Sequence, residues 1–594
     1  MLKTISTKTI DKRNLFLSRV FYPTLLLPLV VACGPNGENL DLGISISIPS
    51  NDAAALIDTP VQADVGGTFT SADGRITVRI PAEAIFEDTT LVVTEAEGLT
   101  NATVNRSPAG DAFTIEFGTV LTAPAELELT TELIPQHPEL AESAEIVDGE
   151  WEATAANFYR ASDSSILSFI DGDGTYQAVL RTLQVETGDM VERGRDVFLN
   201  ATFGNEDYFT NVVGLPELLN NLPPSAAVGA GVQIDITRVP EEIVAVLTGG
   251  DFETIAAALE DPAVTRALLQ ADAVVGVKAF FDDPSSDFVS AAGVTCAICH
   301  GTVTPSAFEL SEGVMTDLPI GPLQLDGLPN TTMDIGLILS LTPLAAAAGQ
   351  ETIDALQSWG PGRADARALP GNPAEDNLVN PTSTPPIWNF VDLAEQNYTY
   401  NWDGLFGSFE DPDNALASRG EFVHDLVLGA NGAFGTDAST VPLEVVLTPA
   451  AELVEALIAA EDAEPGNDIP LQPTLDLQAW QRSIVSPPPG EFNEALAEEG
   501  FRLFYGFAQC SSCHLTPEFT GPVRTSAIVL EPPLGVLADG IKTPGLRGIK
   551  HVPPYFHDDS AQTLEETVEI YSGRIVNELT EAQILAVAEY MRSL

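Results

Sequence analysis

The chain has 594 residues, with 86 acidic against 26 basic side chains and a net charge of −60. Such a surface repels nucleic acid and anionic lipid head groups, which excludes both as partners recruited by charge. A hydrophobic content of 44% excludes a disordered chain, and the length suffices for about three or four domains. The acidity is spread over the whole chain, as in a general adaptation to salt. It would also steer a basic electron-transfer partner.

The N-terminus carries Lys3, Lys8, Lys12, Arg13 and Arg19, then the apolar run 25–31, then Ala32-Cys33. A basic head, a short apolar segment and a small residue before cleavage describe an export signal over residues 1–32. The run is too short to span a bilayer as a stable helix. Val30-Val31-Ala32-Cys33 resembles the bacterial lipoprotein box, which implies that Cys33 becomes the lipidated first residue of the mature chain. The expected location is then the cell envelope, facing the periplasm or at the cell surface, with a lipid anchor and a tether over residues 33–50.

Residues 51–182 read as short strands punctuated by turns. Gly66-Gly67-Thr68-Phe69-Thr70 leads through the turn Asp73-Gly74 into Arg75-Ile76-Thr77-Val78-Arg79-Ile80, whose alternation is that of a half-buried strand. Thr90-Leu91-Val92-Val93 and Ala125-Glu126-Leu127-Glu128-Leu129 continue the pattern. The run from Gly66 through Pro81-Ala82-Glu83-Ala84 resembles the β-sandwich module found beside death domains and in ankyrins. The expectation is an all-β sandwich serving as a spacer or interaction domain, with no chemistry visible in it.

From about residue 183 the pattern is mixed and helical. Residues 258–269 and 275–281 are helix-like and lead to Cys296-Ala297-Ile298-Cys299-His300. A Pro/Gly-rich stretch follows between Trp359 and Pro386, and Pro487-Pro488-Pro489 marks a linker. An amphipathic helix over 492–504 precedes Cys510-Ser511-Ser512-Cys513-His514, and another over 579–594 closes the chain. A helix before the cysteines and a closing helix match the cytochrome c plan.

Each pentamer offers two thiols (Cys296 and Cys299, Cys510 and Cys513) to form thioethers with haem vinyl groups. Each also offers an adjacent imidazole, His300 or His514, to ligate iron. With 5 Cys and 6 His in the chain, one such pentamer arises by chance roughly once in 2,000 sequences, so two are not coincidence. A redox dithiol or half a zinc site is the alternative, but no further Cys-rich knuckle exists to complete zinc coordination. Two covalently bound c-type haems are therefore expected. Export agrees with them, because such attachment takes place outside the cytoplasm. With Cys33 assigned to lipid, no disulfide framework is needed.

Three stretches near the C-terminus are the most specific: Thr543-Pro544-Gly545-Leu546-Arg547, Pro554-Tyr555-Phe556-His557-Asp558-Asp559-Ser560 and Thr563-Leu564-Glu565-Glu566. With Pro385-Pro386-Ile387-Trp388-Asn389 and Tyr400-Asn401-Trp402-Asp403-Gly404, they resemble the bacterial dihaem cytochrome c peroxidase superfamily over residues ~185–594. That superfamily includes the tryptophan-tryptophylquinone maturation enzyme and the dihaem rubber oxygenase. Gly194-Arg195-Asp196, Thr202-Phe203-Gly204-Asn205-Glu206 and Trp359-Gly360-Pro361-Gly362-Arg363 look closer to the rubber-oxygenase branch. The resemblance implies a multidomain fold: an N-terminal all-β sandwich followed by two mainly-α cytochrome c-like haem domains. The first, 183–440, would be peroxidatic and the second, 441–594, would transfer electrons.

In that frame His300 and His514 are the proximal ligands. Reductively activated peroxidases place a loop histidine on the first haem, whereas the 123 residues between His300 and His424 contain none. The first haem is thus expected to keep an open site for peroxide or dioxygen, with Met315 and Met333 as the alternative soft ligands. At the second haem the family's methionine position holds Tyr571, as in the quinone-maturation enzyme, and a phenolate would favour ferric iron. The rival sixth ligand is His557, as in the rubber-oxygenase branch. Trp402 matches the tryptophan that relays electrons between the haems. Glu410 and Glu421 are the candidates for the distal acid, although the family's Glu-Gln pattern reads Glu410-Asp411-Pro412 here. Ser383 stands where the family has an asparagine before its calcium loop, which makes calcium a doubtful cofactor. His424 and His551 read as structural histidines, and His137 has no haem role.

The expected function is a dihaem c-type oxidoreductase of the cytochrome c peroxidase kind. It would take electrons from a small redox donor protein, a cytochrome or cupredoxin, and pass them from the C-terminal haem to the open N-terminal one. The alternatives are a non-catalytic dihaem electron carrier and an oxygenase acting on a hydrophobic substrate.

Overall fold

The computed structural model describes residues 54–364 (except 104, 133, 134, 136, 184, 203, 284 and 312), 381–390, 402, 471–521, 524–525 and 541–594. Cys33, Glu410, Glu421 and His424 lie outside the described residues, as do the expected signal and tether.

The N-terminal region consists of antiparallel strands: β1 (Ala55–Val61), β2 (Gly67–Thr70), β3 (Ile76–Ile80), β4 (Thr89–Ala96), β5 (Arg106–Glu116), β6 (Ala125–Thr130), β7 (Ala141–Val147), β8 (Glu150–Ala153), β9 (Asn157–Arg160), β10 (Ser165–Ile170) and β11 (Gly174–Arg181). They form one sheet in the order β1-β4-β5-β11-β7-β8 and a second in the order β2-β3-β6-β10-β9. The period-2 pattern decides which face is inward. Ile76, Val78 and Ile80 of β3 and Leu127 and Leu129 of β6 meet Leu91, Val93, Phe113 and Ile115 of the other sheet in one buried core. This is the sandwich the alternation predicts. The turn into β3 is also as read: Ser71 Oγ and the Arg75 amide both donate to Asp73, and Gly74 takes φ +75°.

A mainly helical region follows, and two of its helix pairs are built alike. The helix Asp189–Asn200 crosses the helix Leu471–Gln481 at Gly194, where a Cβ would stand 1.8 Å from the Asp476 carbonyl oxygen. One turn on, Phe198 lies 4.1 Å, centroid to centroid, from Trp480. The helix Glu494–Tyr505 crosses the closing helix Glu581–Arg592 at Gly500, where a Cβ would stand 1.9 Å from the Ala586 oxygen, and Phe504 lies 5.2 Å from Tyr590. In both pairs a Gly-x-x-x-Phe face meets an aromatic residue four positions beyond the contacted carbonyl. Only a glycine lets the two backbones approach so closely. The capping follows the sequence: Asn493 accepts from the Leu496 amide, and Thr580 with Gln583 forms a capping box.

One reading of the sequence needs correction here. Residues 275–281 are not helical: Val277–Phe280 is a strand paired with Ala291–Val294. The β-branched and aromatic residues of this short run find a partner strand, and tertiary pairing overrides the helix-like spacing. The helix Leu471–Gln481 packs on Asp189–Asn200 in a core that includes Cys296. The Pro487–Pro489 run falls in sequence between the two helix pairs.

The sandwich is not a detached spacer. Phe158 and Phe169 stack on Phe501 at 5.8 and 5.1 Å. Arg502 binds both carboxylate oxygens of Glu126 at 3.0 and 3.2 Å, and Arg160 reaches Glu498 at 3.3 Å. Phe501 is fully buried, so Phe501→Ala would cost about 3–5 kcal/mol.

Candidate functional site

The first pentamer forms a single helical turn, Ala297–His300, with the His300 amide donating to the Cys296 carbonyl at 3.3 Å. That turn gathers Cys296, Cys299 and His300 onto one face. Main chain encloses it: Gly276, at φ +77°, backs onto Ile298, and the Asn330 amide donates to the Cys299 carbonyl at 2.7 Å. Gln233 in turn donates to Asn330 Oδ1 at 2.9 Å. Burial pushes the Cys296 and Cys299 thiols up to about 12 and the His300 imidazole down to about 3. His300 is therefore neutral at ordinary pH, the state in which an imidazole ligates metal.

The second pentamer forms a tight turn over Cys510–Ser512, entered through Gln509 at φ +56°, with the His514 amide donating to the Cys510 carbonyl at 3.0 Å. His514 Nδ1–H donates to the Phe519 carbonyl at 2.7 Å, which fixes the tautomer and leaves Nε2 as the donor atom. Burial, with the buried Lys542 ammonium adding to it, lowers this imidazole to about 4 against the upward pull of the Phe519 and Pro544 carbonyls. Lys542 Nζ donates to Thr520 Oγ1 at 2.8 Å and to the Thr543 carbonyl at 3.1 Å.

A cavity of about 390 Å³ opens beside this second turn, and its wall includes Cys510, Cys513, His514, His557, Tyr571 and Trp402. Both rival sixth-ligand candidates thus lie on it. Tyr571 stacks on Phe556 at 5.8 Å, and burial raises its phenol well above the usual range, with the neighbouring Cys510 and Cys513 contributing. His557 is buried, and that burial lowers its imidazole. Trp402 meets His557 edge-on at 6.3 Å.

Ser383 joins these groups. Its amide donates to the His557 carbonyl at 2.6 Å, its hydroxyl to the Phe556 carbonyl at 2.9 Å, and its carbonyl accepts from Trp402 Nε1 at 2.9 Å. The sequence singled out Ser383 only as a substituted calcium-loop position, and this three-way role has no sequence signal. Asp559, also on the wall, is pushed up to about 7 by burial, against the pull of Arg363 at 3.8 Å.

Cys296, Cys299 and His300 are not on the wall of this cavity, but Pro329 and Thr331, which flank Asn330, are. The remaining candidates separate clearly. Met315 is 61% exposed on a hairpin, and Met333 is buried. His551 Nε2–H donates to the Pro488 carbonyl at 3.0 Å, a structural role as read.

The four described cysteines are unbonded to one another. Among the buried polar atoms without a hydrogen-bond partner in the described residues are Thr295 Oγ1, beside Cys296, and Nε2 of Gln481, which borders the cavity. Paired thiols, a neutral imidazole, an apolar-walled space and unspent donors suit a haem bearing vinyl and carboxylate groups. Among the described residues no cluster of three or more His, Cys, Asp or Glu side chains is arranged to hold a bare metal ion.

No protein-family model matches the chain, and no curated protein matches it. Among solved structures it is similar to the crystal structure of a MauG-like protein associated with microbial copper homeostasis. The identity is 18%, over 36% of this chain and 75% of that one, with a TM-score of 0.23. At that score the two chains share no demonstrated overall fold.

Proposed function

We propose that the chain is a dihaem c-type oxidoreductase of the cytochrome c peroxidase kind, with covalent haems at Cys296/Cys299 and Cys510/Cys513. The observation that carries this reading is the wall of the cavity beside the second turn. There an attachment pentamer faces a second potential iron ligand and an indole within one enclosed space. The bound haems would supply one-electron chemistry and a coordination position for peroxide or dioxygen.

The chain's own residues do the rest. His300 and His514 are held neutral, and the Phe519 carbonyl engages His514 Nδ1, which leaves Nε2 to ligate iron. Tyr571 is the proposed sixth ligand of the second centre and His557 its rival. The proximity of the Tyr571 phenol to Cys510 and Cys513 favours the tyrosine. Ser383 fixes the Trp402 indole edge-on to His557, a geometry suited to relaying electrons from the second centre toward the first. The proposal includes export, lipid attachment at Cys33, an envelope location and a small donor protein, a cytochrome or cupredoxin. Among the described residues no helix is long and apolar enough to cross a membrane.

The test is the fully oxidised protein challenged with cyanide and with hydrogen peroxide. Because no histidine lies between His300 and His424, both should change the ferric absorption spectrum without prior reduction. An oxidised protein indifferent to both would be an electron carrier, and the peroxidase reading would fall.

A further inference from the structure

We infer that the β-sandwich tunes the Cys510–His514 centre through Arg181, a charged residue of β11 that pairs with Glu518 on the cavity wall. The inference rests on the reading of that pentamer as a haem site. The carbonyl that orients His514 belongs to Phe519, and the sandwich holds the loop carrying it at two points. Thr516 Oγ1 donates to the Ala155 carbonyl at 3.0 Å. Two residues on, Glu518 Oε1 faces Arg181 Nη2 at 3.5 Å, with the two side chains only 3% and 6% exposed.

The pair is the inner end of a row of alternating charge. Arg181 Nε lies 3.5 Å from Glu142, and Glu142 accepts from Arg106 at 3.1 Å. On the cavity side, Glu518 Oε2 accepts from Asn389 Nδ2 at 2.9 Å. At this burial each charge stabilises the other. Glu518 is also on the cavity wall. Its negative charge would therefore act on any iron held by His514, and the sandwich supplies the cation that offsets it. An arrangement in which Arg181 merely glued two domains would not need its carboxylate partner to face the cavity.

The two partners carry opposite charges, so their removal has opposite signs. In the full-length, haem-loaded protein, Arg181→Met should lower the midpoint potential of the C-terminal centre, because an unscreened carboxylate favours the oxidised iron. Glu518→Gln should raise it, Arg181→Lys should restore most of the wild-type value, and the Arg181→Met/Glu518→Gln double variant should lie between the two single variants. Arg502→Met, which breaks the Glu126 pair across the same domain interface, should leave the potential unmoved.

An EPR-monitored redox titration reads all five. Single variants that shift in the same direction, or an Arg502→Met shift as large as that of Arg181→Met, would show domain loosening and overturn the inference, as would no shift at all. The acid-resistant haem content of the same samples separates the two levels: fewer than two haems in the wild type would sink the haem reading itself.

Discussion

The two attachment turns sit beside helix pairs built to one plan, yet their surroundings differ. Gly194 with Phe198 and Trp480 repeats Gly500 with Phe504 and Tyr590, so the scaffold is used twice. The first turn is then sealed by the main chain of Gly276 and Asn330, with the Gln233 side chain holding Asn330. The second faces a cavity whose wall is assembled from segments distant in sequence, with Trp402, His557, Tyr571 and Glu518 on it, the last paired with Arg181 of the sandwich. A repeated scaffold sets where a cofactor can be attached, and what packs around each copy sets what that copy can do.

The comparison breaks most visibly at the cysteines. Replacing Cys510 and Cys513 with Ala, or Cys296 and Cys299 with Ala, should each remove half of the acid–acetone-resistant haem. Loss of all haem from either double variant would mean that the two sites do not load independently.

The shared scaffold is tested next. Gly194→Ala and Gly500→Ala each drive a methyl into a backbone oxygen less than 2 Å away. Each should destabilise the protein by about 1–3 kcal/mol or more in urea denaturation. If only one does, the two pairs are not equivalent in solution.

Smaller effects separate the ligand candidates and the relay. Tyr571→Phe should change the low-spin spectrum of the second centre and raise its potential, since an anionic ligand is lost. If that variant is silent and His557→Ala turns the centre high-spin, His557 is the ligand. Trp402→Phe removes the hydrogen bond to the Ser383 carbonyl and should slow electron delivery between the centres while both haems stay attached.

The smallest effect concerns pH. Burial raises the Asp559 carboxyl from its ordinary 3.8 to about 7, so between these values the folded state holds a proton that the unfolded chain has released. Stability contributed by that proton is complete below about pH 4 and is lost as pH rises toward 7. Asp559→Asn should flatten this decline, and an unchanged pH–stability profile would contradict the assignment.

Much of this was legible in the sequence, for local reasons. Period-2 alternation gave away β3 and β6, Asp73-Gly74 the turn between β2 and β3, and amphipathic spacing the two helices of the second pair. What was not legible depends on contacts distant in sequence. The strand Val277–Phe280 exists because Ala291–Val294 pairs with it. The partnership of Leu471–Gln481 with Asp189–Asn200 spans more than 280 residues, 283 in the Arg193–Asp476 pair. A signal for it was present all the same: Gly-x-x-x-Phe occurs at 194–198 and again at 500–504. The roles of Ser383 and Arg181 had no comparable signal, since a lone serine and a strand-end arginine acquire meaning only from what folding places opposite them.

Intact-mass measurement of the purified, denatured chain tests the central claim most directly. The account predicts the mature polypeptide plus two haem masses, with one haem mass remaining on each Cys-to-Ala double variant. A chain that carries no covalent haem, or a single one, would contradict it.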